Sequence, residues 1–438
     1  MSTTPPARDA TVSAEPEWIP STLGRELEET FVRRALYRYG FEDVTNQIPW
    51  LARFVAGAFR TDWRGQYEGG LAQAAQVRHA SSFAAGRMAL FAVLKALGIG
   101  TGDEVILPAY TCVVVPNAIL YLGARPVYVD VTSDDFNLNI DQLEQAITSR
   151  TRAIIAQHTF GQPAEIDAIR EIARTRGLAV IEDVAHAIGG TSLGRPLGSL
   201  GDAAFGSTDH SKIFSTSLGG FALSDSPAIQ EGLQRVHASA AGLSATARAR
   251  IVFQYGARGL AARPRLHWLT RMPVEQLARV GVWYYLNDEL KLNRPDRYPA
   301  VLPNFSAFIG VQELRNLASN ITHRRFVAAR YREILQGVTG PLPEGAFLRY
   351  SLLVRSPMRW EHTLGRYFTI GRWFSSVTQG RSTGFDQIAY APGSCPTAEH
   401  VSAHIINFPT HAGVDEGALA KFEGLVRRFR LTNDILST

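Results

Sequence analysis

Cysteine is almost missing: the 438 residues include two, Cys112 and Cys395. Two thiols cannot make a disulfide framework, and these lack the paired spacing of a zinc site, so a reducing, cytoplasmic setting is expected. No apolar run approaches the roughly 20 residues that a membrane-spanning helix requires. Charge is also modest, with 45 Lys and Arg against 40 Asp and Glu and a net +5. No domain-wide basic stripe or nucleic-acid motif accompanies it, which sets nucleic acid aside as a partner and suits small anionic ligands. Residues Met1 to Glu17 are rich in Pro, Thr, Ala and Ser, with no basic segment leading into an apolar one. Residues 1–20 are therefore expected to be a flexible tail and not a signal peptide.

What is present is a foldable chain. Hydrophobic residues make up 45%, ordinary for a globular protein, and the length suggests two or three domains with a large core. From about Ser81 to Leu223, short β-rich runs alternate with longer helical ones. The expected strands are Glu104 to Leu107, Pro126 to Asp130, Ala153 to Gln157, Ala179 to Glu182, Ala203 to Ser207 and Gly219 to Leu223. Between them, helical apolar spacing covers Gly86 to Leu97, Val113 to Leu122, Ile140 to Ile147 and Glu165 to Arg176. Strands that are apolar throughout and separated by helices imply an α/β fold with a parallel sheet covered on both faces. Beyond about Val311 the pattern becomes a smaller α+β unit, opened by a helix from Val311 to Leu335 and closed by one from Glu416 to Arg430. The expected units are thus 21–310 and 311–438.

Ligands bind such sheets outside the carboxyl ends of the strands, and Asp183, Ser207 and Lys212 all stand there. An acid directly after a buried strand is costly unless a cation or hydrogen-bond donor meets it. For Asp183 that partner is either structural, a helix cap or ion pair, or a protonated pyridine nitrogen. The run Ser207 to Lys212 ends in a lysine with no obvious solvated face. A Schiff-base lysine must lose its proton near neutral pH, and burial or a nearby positive charge lowers its pKa.

Several motifs occur in order. Asp103-Glu104-Val105-Ile106-Leu107-Pro108-Ala109-Tyr110-Thr111-Cys112 is followed by Leu120-Tyr121-Leu122-Gly123-Ala124-Arg125-Pro126-Val127-Tyr128-Val129-Asp130, then by His158-Thr159-Phe160-Gly161-Gln162-Pro163-Ala164, and near the end by Asn407-Phe408-Pro409-Thr410-His411-Ala412-Gly413. Together with the 29 positions from Asp183 to Lys212, they resemble the DegT/StrS class of sugar aminotransferases, most closely over Ser81 to Asp225. The resemblance implies fold type I of the pyridoxal-phosphate (PLP) transferases and a homodimer acting on a nucleotide-linked keto sugar with an amino-acid donor. It makes Lys212 the lysine that carries PLP, Asp183 the pyridine-nitrogen partner, His186 the group on the phenolic oxygen and Ser207 a phosphate ligand. Gly86 and Arg87 open a helix whose first amides favour a phosphate.

The sequence also departs from the family pattern. The position of the aromatic residue that the resemblance stacks on the cofactor is held by Cys112, so either Tyr110, on the same strand face, takes its place or the stacking is weaker. Leu218 replaces a glutamate before the Gly219-Gly220 pair. An Asn-Tyr-Arg segment is missing before Asn304, leaving Arg297 and Tyr298, with His411, as the substrate-side residues; the first two are expected to reach across a twofold axis. Residues 241–300 hold ten Lys or Arg against four Asp or Glu, with Phe253, Tyr255, Trp268, Trp283, Tyr284 and Tyr285 among them. That composition suits either a helical hairpin packed on the dimer or a surface for a weak membrane contact, a lipid-linked sugar or a nucleotide diphosphate. His400 and His404 lack a third ligand, so no metal site is expected. Cyclitol transamination is an alternative. A related sugar dehydratase would carry histidine in place of Lys212, and a non-catalytic binding module would not require Asp183 together with Lys212.

Overall fold

The computed structural model describes residues 47–57, 61–261, 289–295, 298–379, 381 and 383–436. Seven strands form the central sheet: β1 His79–Phe83, β2 Glu104–Pro108, β3 Arg125–Val129, β4 Thr151–Gln157, β5 Ala179–Asp183, β6 Ala203–Ser207 and β7 Gly220–Ser224. Their spatial order is β1-β7-β6-β5-β4-β2-β3. The five strands from β6 to β3 pair in parallel, whereas β7 is antiparallel to β6 and β1 antiparallel to β7.

The apolar strands are explained by their period of two. Val105, Leu107, Ala153, Ile155 and Ile181 enter the core on one face. Their neighbours Ile106, Ile154, Ala156 and Val180 enter the core on the other. Burial on both faces requires helices on both sides, and the crossover segments supply them. Helix α1 (Arg64–Ala75) precedes the sheet, α2 (Gly86–Ala96) follows β1, and α3 (Val114–Leu120) and α4 (Ile166–Arg176) connect later strands. Helix α4 turns Ile166, Ile169 and Ala173 inward and stops at Gly177 in the left-handed region, φ 66°, where glycine carries no Cβ penalty.

The helix expected from Val311 to Leu335 is two helices: α5 (Asn304–Leu314) and α6 (Leu317–Gln336). Asn316 leaves helical geometry at φ −101°, ψ 0°, so the apolar positions restart in a new phase. The expected boundary between 310 and 311 falls inside α5. Beyond it, β8 (Arg349–Leu353) and β9 (Ile405–Pro409) pair antiparallel. They share a separate core in which Tyr331, Trp360, Phe408 and Phe422 meet. No helix among the described residues is long and apolar enough to cross a membrane.

One carboxylate ties this C-terminal part to the sheet. Asp130, just past β3, accepts hydrogen bonds from the backbone N–H groups of Val131 (2.9 Å), Thr397 (2.9 Å) and Ala398 (2.8 Å). It thereby caps the helix Pro396–His404 from a distant strand. Asp130→Ala leaves those buried amides unmet and should cost about 2 kcal/mol of stability. A thermal-melting midpoint unchanged from wild type would refute the cap's importance.

Candidate active site

The ends of β5 and β6, the start of β7 and the N-terminus of α2 converge on a cavity of about 210 Å³. Close approach of backbone makes this possible. A Cβ on Gly220 would lie 2.3 Å from the carbonyl carbon of Ala85 and from the nitrogen of Gly86, and a Cβ on Gly86 would lie 2.8 Å from Cβ of Ser207. Only glycine lets the first turn of α2 rest against both strands. The N-cap residue Ala85 supplies no side-chain acceptor, so the first amides of α2 keep their capacity for an anion beside the Ser207 hydroxyl.

The two acids at the end of β5 have different tasks. Glu182 accepts from the backbone N–H groups of Gly198 (2.9 Å), Leu200 (2.6 Å) and Gly201 (2.7 Å) and pairs with Nε2 of His158 at 3.1 Å. Burial works to raise its pKa, but the His158 bond and these amides hold the carboxyl below the ordinary range. Glu182 is a structural clamp. Asp183 points the other way, into the cavity, where the N–H of Ala185 donates to Oδ1 at 2.9 Å. Burial dominates there and pushes its pKa up to about 6, against weaker opposition from that amide and from Lys212.

A raised carboxyl pKa has a definite linkage sign. Between 3.8 and about 6 the native state holds more protons than the unfolded one, so stability falls as pH rises through that window. Ligand-free Asp183→Asn should therefore melt above ligand-free wild type near pH ~8, with the gap closing toward pH ~4. Equal melting temperatures at the higher pH would show that the charged carboxyl is not strained.

Lys212 lies in the same cavity, its Nζ 4.9 Å from the ring centre of Trp373. Among the described residues, no hydrogen bond or ion pair engages the amino group. Desolvation lowers its pKa, which favours the neutral, nucleophilic amine. His186 also lines the cavity, and its Nδ1 accepts the N–H of Phe160 at 3.3 Å. Burial, followed by the charges of Lys212 and Arg349, holds it neutral well below the usual imidazole range. With Nδ1 accepting, the ring hydrogen sits on Nε2, so the imidazole can donate a hydrogen bond from that side.

Gly86, Arg87, Cys112, Asp183, His186, Ser207 and Lys212 all border this one cavity. Three other expected residues do not. Tyr110 is wholly buried behind the wall, against Phe136, Phe160 and Phe374. Its hydroxyl accepts the N–H of Phe374, so it is not the stacking substitute: the ring is committed to the core. Tyr298 packs edge-on against Phe91 and Tyr121, and its hydroxyl donates to the carbonyl of Arg87 at 2.9 Å. Only 9% of it is exposed, so it supports α2 from within its own chain and is not extended toward a partner. His411 is buried away from the cavity, its Nδ1 accepting the N–H of Gly413 at 3.1 Å. Arg297 lies outside the described residues, as do Trp268, Trp283, Tyr284 and Tyr285 of the basic aromatic segment.

The cavity also gathers residues that the sequence motifs do not mark. Gln157 ends β4 and donates to the carbonyl of Tyr110 (3.0 Å) and the hydroxyl of Thr159 (2.8 Å); the strand-end rule applied to β4 would have found it. Asp209 and the His210 ring are 2.6 Å apart. Burial would raise the Asp209 carboxyl, but the neighbouring histidine holds it well below the ordinary range. Trp373 and Phe374 close the cavity from far along the chain, and no local signal marks them.

The mainly parallel sheet with helices on both faces has the architecture of the fold-type I PLP-dependent transferases, and a lysine, an aspartate and a helix N-terminus meet at its strand ends. A crystal structure of an aminotransferase of the DegT, DnrJ, EryC1 and StrS type from Brucella abortus shares this fold, with a TM-score of 0.67 over 93% of this chain and 98% of that one, at 23% identity. The chain belongs to the DegT/DnrJ/EryC1/StrS aminotransferase family, whose model matches residues 61–292. It is 31% identical to the UDP-N-acetyl-3-dehydro-alpha-D-glucosamine 3-aminotransferase of Acidithiobacillus ferrooxidans over 368 residues, covering 80% of this chain and 84% of that protein. It is also 44% identical to GDP-perosamine synthase of Caulobacter vibrioides over 155 residues, 35% of this chain but only 42% of that protein's length.

Proposed function

We propose that this protein is a PLP-dependent aminotransferase that moves an amino group from an amino acid, glutamate in the first instance, to the ketone of a nucleotide-linked sugar. The observation that carries the reading is a desolvated Lys212 amine and a strained Asp183 carboxyl bordering one cavity at the strand ends. The residues present fit the cofactor. Ser207 and the first amides of α2, reached through the cradle at Gly86 and Gly220, suit its phosphate. Asp183 suits a protonated pyridine nitrogen, which would relieve the cost of burying its charge. His186 suits the phenolic oxygen as a neutral donor. When bound, PLP supplies an electron sink. The protein's part is to hold that sink charged through Asp183, to present Lys212 as the amine that carries the cofactor and moves the proton, and to limit access of water.

The nucleotide-sugar substrate is supported by the named relatives, one acting on a 3-keto sugar linked to UDP, and by a net charge of +5 that favours anionic ligands. A cytoplasmic homodimer is the assembly that the family resemblance supports, and light scattering would test it. The deciding experiment is incubation of PLP-loaded protein with glutamate and a panel of 3-keto and 4-keto nucleotide sugars. Formation of 2-oxoglutarate that depends on one of those sugars is the expected outcome. A visible cofactor band with no turnover on the panel would exclude the nucleotide-sugar assignment, and the lack of any band would favour a non-catalytic binding module.

A further inference from the structure

The family's stacking aromatic is replaced here by Cys112, and the fold brings another ring to the same cavity. Residues Thr111–Cys112 pair in parallel with Thr378–Gln379, Thr378 opposite Thr111 and Gln379 opposite Cys112. The N–H of Thr111 also donates to the carbonyl of Val377 at 3.1 Å. This ladder binds the loop before it to the strand that carries Cys112, and the loop delivers Trp373 to the cavity that Cys112 borders. Both ends of the delivery are fixed. The backbone N–H of Trp373 donates to Oδ1 of Asn407 at 2.8 Å, and that of Phe374 donates to the Tyr110 hydroxyl.

The indole itself is held from several sides. The guanidinium carbon of buried Arg349 stands 3.4 Å from its ring centre, and Nζ of Lys212 stands 4.9 Å from it. The His186 ring lies nearly parallel at 5.6 Å, 19° between planes. A planar guanidinium stacked on an indole favours one orientation of both groups. From this we infer that Trp373, braced by Arg349, is the positioning residue that provides the aromatic cover Cys112 cannot. The inference rests on the cofactor reading above. A large, rigid ring beside Lys212 and His186 limits the movement of a flat aromatic ligand and excludes water in a way that a thiol does not.

The test uses the cofactor-free protein and PLP itself. Tryptophan fluorescence and the visible band are followed during titration of wild type, Trp373→Phe and Trp373→Ala. Loss of one aromatic contact should weaken PLP binding by about tenfold in Trp373→Ala. Trp373→Phe, which keeps a ring and the packing, should stay close to wild type in affinity while losing a clear part of the fluorescence quenching. Adding Cys112→Tyr to Trp373→Ala should restore affinity by returning a ring to the strand. Wild-type affinity in Trp373→Ala, or full quenching in Trp373→Phe, overturns the role of Trp373 while leaving the cofactor reading intact. Failure of wild type to take up PLP overturns both.

Discussion

Lys212→Ala should lose at least about a thousandfold in the rate of amino transfer from the donor, because among the described residues no other amine borders the cavity to carry the cofactor or move the proton. The visible band of lysine-bound PLP should vanish with it, although the fold survives, since the amino group makes no hydrogen bond or ion pair among the described residues. A small primary amine added to the medium should restore part of the rate, as it can enter the space left by the side chain. The measurement is a single-turnover reaction of loaded protein with glutamate, set beside the absorption spectrum. Wild-type turnover in the variant would remove Lys212 from the chemistry. An unfolded variant, seen by circular dichroism, would instead give the lysine a structural role that its surroundings do not suggest.

Asp183→Asn separates charge from shape. Asparagine still accepts the N–H of Ala185, so the end of β5 should be preserved, but it cannot hold a pyridine nitrogen protonated. The donor half-reaction should slow by about a hundredfold or more, with cofactor affinity falling much less. The same substitution is predicted to stabilise the ligand-free protein near neutral pH, because the carboxyl there is ionised against its raised pKa of about 6. Loss of activity with gain of apo stability is the signature of a residue strained for function. If the variant reacted at the wild-type rate, Asp183 would be a turn-former only. If it were destabilised at every pH, its charge would be satisfied within the protein after all.

These two residues were legible because their signals are local. A strand's end is visible in an apolar run, ligands gather at such ends, and Asp183 and Lys212 are polar groups at the ends of β5 and beyond β6. The alternation within Val105 to Leu107 and Ala153 to Ala156 likewise follows from sequence alone, because adjacent side chains of a strand must face opposite ways. Glu182 shows where that stops. The sequence places an acid one residue from Asp183, but the three amides that satisfy it belong to Gly198, Leu200 and Gly201, and which acid is clamped depends on how that loop folds back.

The aromatic residues were decided wholly by tertiary structure. Tyr110 and Tyr298 stood at plausible places in the chain, yet each turns into a core that contacts from other elements create. Trp373 and Arg349 reach the site only because Thr378–Gln379 pairs with Thr111–Cys112 and β8 pairs with β9. Register and polarity of a strand are inscribed in its own residues, whereas the partner of a ring or a buried charge depends on pairings between distant segments. The sequence by itself determined the α/β sheet, its strand ends and the lysine–aspartate pair. The tertiary structure alone decided which aromatic ring meets that pair.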